Sequence, residues 1–177
     1  VILHCTQKLA TRIPSTIGLP DPGVERECQA GPLSSWHGHL LTLDRRQCVL
    51  FCHDATRYVL FMPGLRAPQL AELGRWHRDL FLASLATEGI ADALIAKADA
   101  ALGPARFDAK TDRSVLASMN IARWDLGVYV SREDHVMDVD ALLVSRRLNE
   151  RPVVASGKPL WPARAMRERV TLLAAGL

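Results

Sequence analysis

The stretch that decides the fold is residues 36–62, which read WHGHLLTLDRRQCVLFCHDATRYVLFM. It contains three runs rich in β-branched and aromatic residues, separated by polar residues at 44–47 and 54–55. Such spacing is typical of tight turns between antiparallel strands. The sequence therefore predicts a three-strand meander over about 36–62, ended by Pro63 and Gly64. The second and third strands are apolar on both faces, which favours central strands covered by helices on at least one side.

The segments around the meander predict an α+β fold with a small antiparallel sheet packed against several helices. A strand at 1–6 and a helix at 7–13 come before it. Helical periodicity and an edge-strand pattern follow it, which predicts helices at 68–88, 90–102, 114–130 and 139–149 and an edge strand at 106–108.

The division into domains follows from length and from the last segment. We expect a single α+β domain over 1–156, since 177 residues fit one core. Residues 157–177 are predicted to form an amphipathic C-terminal helix that either packs on the domain or contacts a protein partner or second copy, with a hinge at 157–162. The breaker-rich segment 14–35 is either a lid or a connector.

Composition places the chain among ordinary globular proteins. It is 49% hydrophobic with a net charge of +3, and no apolar run approaches the ~20 residues that cross a bilayer. Residues 1–5 lack the features of a signal peptide, so we expect a cytoplasmic protein without membrane contact. The four cysteines (Cys5, Cys28, Cys48 and Cys52) match no zinc or redox spacing, and we expect reduced thiols and no cofactor.

Histidines in the meander raise a metal hypothesis. His37 and His39 lie two apart on one strand and share a face, with His53 at the end of the next strand. The alternative is the solvent-facing half of an edge strand.

Two further polar groups are candidates for binding or catalysis. The turn after the second strand contains Asp54 and Thr56, which either serve a ligand or satisfy the turn's own amides. Residues 110–114 start a predicted helix with two basic side chains, where an anion would meet free backbone amides. Ordinary capping explains the same residues equally well.

Several motifs in order resemble a bacterial family of small proteins of unknown function: LHCTQKL at 3–9, WH at 36–37, DRRQCVLF at 44–51, DATRY at 54–58, PGL at 63–65 and RSVLASMN at 113–120. The resemblance covers about residues 2–125 and leaves the tail after Val130 outside. It implies asparagine more often than histidine at His39 and His53, which argues against a metal site. The polar positions that match are Thr6, Lys8, His37, Asp54, Thr56, Arg113, Ser114 and Asn120.

Three hypotheses for function follow, and the first two draw on the convergence of these residues at one end of the sheet. The first is a binding module for an anionic ligand, either nucleotide-like or a nucleic-acid backbone, with Arg45 and Arg46 extending the surface. The second is a hydrolase or transferase in which His37 is the acid or base, Asp54 orients it and Arg113 stabilises charge. The third is one component of a two-gene module that contacts its protein partner through the C-terminal helix.

Overall fold

A mixed five-stranded sheet forms the centre of the computed structural model, which describes residues 1–14, 31–155 and 157–174. Its strands, in the spatial order β4-β3-β2-β1-β5, are β1 (Ile2–Cys5), β2 (Ser35–Leu43), β3 (Arg46–His53), β4 (Val59–Leu65) and β5 (Arg106–Asp108). The predicted meander is confirmed, because β2, β3 and β4 are antiparallel neighbours. The prediction of a small antiparallel sheet is wrong, because β1 pairs in parallel with both β2 and β5.

The turns of the meander differ from their predicted form. Asp44 and Arg45 both have positive φ, 46° and 61°, as a two-residue hairpin loop requires. The predicted stop at Pro63 is wrong, and β4 continues to Leu65. The prediction that the third strand is central is also wrong, because β4 lies at the edge of the sheet. Proline is tolerated in an edge strand, and the register of β4 is irregular near Gln47.

Helices cover both faces of the sheet: α1 (Gln7–Ala10), α2 (Ala67–Ala71), α3 (Leu73–Thr87), α4 (Asp92–Leu102), α5 (Arg113–Val130), α6 (Ala141–Asn149) and α7 (Pro162–Ala174). The predicted helix at 68–88 is interrupted at Glu72, where the backbone leaves helical geometry. After this break Gly74 lies so close to Ala105 that a Cβ at Gly74 would overlap it.

Strand alternation divides the apolar residues into two cores. On β3, Val49 and Phe51 face the first core, which is completed by α3, α4 and α7. Cys48, Leu50 and Cys52 face the second core, which is completed by α5 and α6. The sheet is therefore buried on both faces, as continuous apolar strands require.

The edge of β4 is covered by α6. The Asn149 side chain accepts a hydrogen bond from the Val59 N–H at 2.7 Å and donates one to the Val59 carbonyl at 2.8 Å. Ser145 Oγ accepts from the Phe61 N–H at 2.9 Å. The strand's outward amide groups are thus paired, which closes the edge to further strands.

The segment of the predicted hinge at 157–162 contains a strand. β7 (Lys158–Leu160) pairs with β6 (Val153–Ala155) as an antiparallel hairpin, and the last helix begins only at Pro162. The following helix, α7, buries Met166 and Val170 in the first core.

Part of the predicted loop at 14–35, including Cys28, lies outside the described residues. The other three cysteines, Cys5, Cys48 and Cys52, are buried free thiols. Burial raises the pKa of Cys5 and of Cys52 to about 12. Among the described residues, no helix is both long and apolar enough to cross a membrane.

Candidate functional site

A polar cluster lies where three neighbouring strands cross the α5 face of the sheet. His4 of β1 stands opposite His37 of β2, and Asp108 of β5 stands opposite His4 on its other side. The residues immediately before these three belong to the first core, so alternation directs all three side chains to the other face. Ser35 shares the face of His37, and Asp54 follows β3 with its N–H donating to the Ser35 carbonyl at 3.0 Å.

These five side chains form one continuous chain of hydrogen bonds, here called the histidine–aspartate network. Asp108 Oδ1 lies 2.7 Å from His4 Nδ1, and His4 Nε2 lies 3.0 Å from Ser35 Oγ. Ser35 Oγ donates to Asp54 Oδ2 at 2.6 Å, and Asp54 Oδ1 lies 2.6 Å from His37 Nδ1. The His4, Asp54 and Asp108 side chains are 16%, 27% and 23% exposed, so solvent reaches the network.

His37 is the enclosed end of the network, with a side chain only 2% exposed. Its Nε2 accepts a hydrogen bond from the Asp112 N–H at 2.7 Å. Because Nε2 is the acceptor, Nδ1 carries the proton and donates to Asp54. His37 therefore holds the Asp54 carboxylate in place.

Asp54 remains ionised in this setting. Burial raises the pKa of its carboxyl, but hydrogen bonds from His37 and Ser35 and the nearby imidazoles outweigh burial and bring the pKa below its usual range. An ionised Asp54 accepts from both neighbours at once.

The start of α5 is occupied by its own cap. Asp112 Oδ1 accepts hydrogen bonds from the backbone N–H groups of Ser114 at 2.6 Å and Val115 at 3.1 Å. The Ser114 hydroxyl also donates to Asp112 Oδ1, at 2.6 Å. This bond and the two backbone bonds lower the pKa of Asp112 to about 2. The Ser114 and Val115 amides at this helix start are therefore already paired with a carboxylate.

Arg57 connects the hairpin to α5. It has a positive φ of 56° and is 7% exposed. Its guanidinium donates to the Asp54 carbonyl and, at 2.8 Å, to Ser114 Oγ. Ser114 is thus joined to the network through Arg57.

Other predicted ligand-binding residues lie outside the network. Thr56 is buried with its Oγ1 2.8 Å from His53 Nδ1, where it closes the turn. Lys8, Arg113 and Asn120 are exposed on α1 and α5. The predicted convergence therefore brings together His37, Asp54 and Ser114, while the described contacts do not add the cations.

The remaining cations and histidines are placed as follows. Arg45 and Arg46 are exposed at the hairpin between β2 and β3, at the other end of β2 from Ser35. His39 has a pKa lowered by burial and then by Arg123 and Lys8, so both cations act on it.

The metal hypothesis finds no support in this geometry. His53 packs against Trp36, which belongs to the first core, whereas His37 lies on the opposite face. Within residues 1–14, 31–155 and 157–174, no three His, Cys, Asp or Glu side chains are arranged so that they could hold a metal ion.

Sequence reasoning did not select His4, Ser35 or Asp108. The signal for two of them was alternation: His4 is the polar member of the apolar strand β1, and Asp108 follows the buried Phe107 in β5. Their proximity depends on the parallel pairing of β1 with β5, which spans about one hundred residues of sequence.

The fold and the site define an α+β protein with a histidine–aspartate network on one face of a mixed sheet. The chain belongs to the family described as Domain of unknown function (DUF6933), whose model matches residues 2–165. The match extends well beyond residue 125, so the tail after Val130 is part of the family, contrary to the expectation from the motifs. No curated protein matches the sequence.

Proposed function

We propose that the protein is a hydrolase that acts on carboxylic esters through Ser35. The observation that carries this proposal is the connectivity of Asp108, His4 and Ser35. A carboxylate bonds Nδ1 of an imidazole at 2.7 Å, and Nε2 of the same ring lies 3.0 Å from a serine hydroxyl. This is the order of groups by which serine hydrolases of unrelated folds activate their nucleophile.

The chemistry follows from these positions. In the resting protein the Ser35 hydroxyl donates to Asp54 Oδ2, so its hydrogen first rotates toward His4 Nε2. His4 Nε2 then takes this proton as Oγ forms a bond to the ester carbonyl carbon, and Asp108 stabilises the imidazolium that results. The carbon–oxygen bond to the alcohol then breaks, and the alcohol leaves with the proton from His4. Water hydrolyses the acyl–Ser35 ester by the same sequence, which restores the hydroxyl.

Asp54 and His37 have a positioning role in this proposal. The Ser35 hydroxyl has two acceptors within reach, Asp54 Oδ2 at 2.6 Å and His4 Nε2 at 3.0 Å. Asp54 fixes the side-chain rotamer of Ser35, and His37 fixes Asp54. The pair predicted to be catalytic thus acts through Ser35 rather than on the substrate.

The test combines ester hydrolysis with covalent labelling. We expect the protein to hydrolyse p-nitrophenyl butyrate and to react with a fluorophosphonate probe at Ser35, as located by peptide mass spectrometry. Ser35→Ala should abolish labelling and lower hydrolysis by about 10³-fold or more, and Asp108→Asn should have a similar effect on hydrolysis. Ser131→Ala, at an exposed site at the C-terminal end of α5, is the matched control. Equal hydrolysis by Ser35→Ala and the parent protein would refute the proposal.

A second candidate function is anion binding, which one observation supports. Lys8 and Arg123 both act on the pKa of His39, so two cations flank the same part of β2. Inorganic phosphate or a polynucleotide should then shift the amide resonances of these residues. The measurement is made at low salt, because binding to a nucleic-acid phosphate backbone is strongest at low salt. Lys8→Gln with Arg123→Gln should remove the shifts. Arg164→Gln with Arg167→Gln, both exposed on α7 at the first core, is the matched control. No shift at low salt would exclude this function.

A further inference from the structure

A row of three residues, here called the Ile2 row, crosses the α5 face at the amino ends of β1, β2 and β5. In the register of the sheet, Ile2 is paired with Ser35 on one side and with Arg106 on the other. Each of the three directly precedes a residue of the first core, so alternation directs its side chain to the α5 face. Ser35 and Arg106 are two strands apart, which places their Cα atoms about 10 Å from each other.

The Ile2 row is occupied on the side of β3 and accessible on the side of β5. Asp54 lies next to Ser35 on the β3 side and accepts a hydrogen bond from the Ser35 hydroxyl at 2.6 Å. Arg57 donates to the Asp54 carbonyl and ties this turn to the start of α5. On the other side Ile2 is partly buried and Arg106 is exposed. An acyl group bonded to Ser35 can therefore extend over Ile2 toward Arg106.

The charge of Arg106 is available to a ligand. Within the described part of the chain, the Arg106 side chain makes no hydrogen bond or ion pair. Asp108, two residues along β5 on the same face, is engaged elsewhere, because its Oδ1 lies 2.7 Å from His4 Nδ1 and accepts from the Lys110 N–H at 3.0 Å. A guanidinium binds a carboxylate through two parallel N–H bonds, so Arg106 favours an ionised carboxylate as its ligand.

Ile2 determines what lies between the two polar ends. Its side chain is apolar and separates Ser35 from Arg106 along the row. Methylene groups that cover it remove apolar surface from water, whereas a polar group there would lose hydrogen bonds to water. The Ser35 and Arg106 side chains shorten the interval between their Cα atoms, so a short methylene chain spans it.

We propose that the Ile2 row selects an acyl group that ends in a carboxylate, so that the substrate is a half-ester of a short dicarboxylic acid. The inference rests on the proposed hydrolase activity and names its substrate class. The ester carbonyl lies at Ser35, the methylene groups lie over Ile2, and the distal carboxylate pairs with Arg106. Hydrolysis by the steps given above consumes one water and releases the alcohol and the dicarboxylate.

The experiment compares two esters of equal chain length. The mono-p-nitrophenyl ester of adipic acid has the distal carboxylate, and p-nitrophenyl hexanoate lacks it. The parent protein should prefer the adipate ester about tenfold in kcat/KM, and Arg106→Gln should remove this preference while changing the hexanoate value by less than about twofold. Arg164→Gln is the matched control, because Arg164 is an exposed arginine on α7. We expect it to change neither value.

Reversal of the charge tests whether Arg106 acts through its charge or through the structure of β5. Arg106→Glu should lower kcat/KM for the adipate ester further than Arg106→Gln does. It should raise kcat/KM for the p-nitrophenyl ester of ε-aminocaproic acid, which ends in an ammonium group, about fivefold above the parent value. A structural role alone would move all three esters in the same direction, and that result would overturn the assignment.

Further results separate the Ile2 row from the activity. If both esters are hydrolysed through Ser35 and Arg106→Gln changes them equally, the substrate assignment is wrong and the hydrolase proposal stands. If no ester is hydrolysed, the hydrolase proposal fails, and binding of adipic acid monomethylamide to Ser35→Ala decides the row by amide resonances. Shifts at Ile2 and Arg106 that weaken about fivefold or more in Ser35→Ala/Arg106→Gln support the carboxylate site. No shift at these residues overturns it.

Discussion

The two faces of the sheet treat histidine in opposite ways. On the face of the first core, His77 is fully buried among aromatic rings, with ring centroids 4.7 Å from Trp36 and 4.9 Å from Phe51. Within the described residues neither of its ring nitrogens has a hydrogen-bond partner. On the face of α5, His4 and His37 each bond a carboxylate through Nδ1.

The difference shows that the partner, more than the depth of burial, decides what a histidine can do. His37 is almost as enclosed as His77, yet both of its nitrogens are paired. Burial lowers the pKa of His77 to about 3 and that of His53, beside it, to about 4. The first-core face therefore contains neutral rings that contribute to packing. The α5 face contains histidines whose ring nitrogens are hydrogen-bonded to carboxylates.

The largest expected effect is a loss of stability in mild acid that comes from the first-core face. His53 and His77 have folded-state pKa values below the ordinary 6.5. As pH falls below 6.5 the unfolded chain takes up protons, but the folded chain does not until about pH 4 at His53 and lower still at His77. The stability that comes from keeping these two rings neutral is thus complete above pH 6.5. The free energy of unfolding should fall between pH 6.5 and 4, by about 3 kcal/mol for each histidine.

Urea unfolding at pH 7, 6, 5 and 4 measures this fall. Asp54 contributes below this range, because its lowered pKa affects stability only below its ordinary value of 3.8. His135→Asn, at a partly exposed surface position, is the control and should leave the slope unchanged. A free energy of unfolding that stays constant from pH 7 to pH 4 would show that the two rings are not held neutral.

The next effect separates two carboxylates of the α5 face. Asp54→Ala leaves the His37 Nδ1–H without an acceptor in a site that is 2% exposed, and should lower the free energy of unfolding by about 2–3 kcal/mol. Asp108→Ala leaves His4, which is 16% exposed and can bond water, so we expect less than about 1 kcal/mol. Chemical denaturation of both variants at pH 7 measures the difference. Equal losses of stability in the two variants would mean that the burial of His37 does not affect the free energy of unfolding.

Much of the fold could be predicted because its signals are local. The meander followed from apolar runs and turn residues. The prediction that the second strand is apolar on both faces also holds, since Val49 and Leu50 face opposite cores. The pairing of β1 with β2 and β5 left no local signal, because each pair joins segments that are far apart in sequence. The break at Glu72 was also hidden, since it depends on how closely Gly74 approaches Ala105.

The site was predicted in part for the same reason. His37 and Asp54 were selected because they flank one hairpin, and they do bond each other. His4 and Asp108 lie beside this pair only because β1 pairs in parallel with β5. Residue spacing in the sequence does not indicate that pairing. The sequence leaves the helix start open between capping and an anion site, because capping by Asp112 and anion binding share one sequence pattern. Only the direction of the Asp112 side chain separates the two.

The smallest expected effect is a gain in stability, and it tests the contrast by its sign. Replacing a histidine by leucine should raise the free energy of unfolding on the first-core face and lower it on the α5 face. His77→Leu removes two unpaired ring nitrogens from an aromatic environment and should raise the free energy of unfolding at pH 7 by about 1 kcal/mol. It should also remove the share of His77 in the acid-dependent fall. His37→Leu instead removes the hydrogen bonds to Asp54 Oδ1 and to the Asp112 N–H and should destabilise by about 2 kcal/mol. If both variants lose stability to the same extent, then the packing around each ring matters more than its hydrogen bonds. The two faces would then not differ in how hydrogen bonding of histidine contributes to stability.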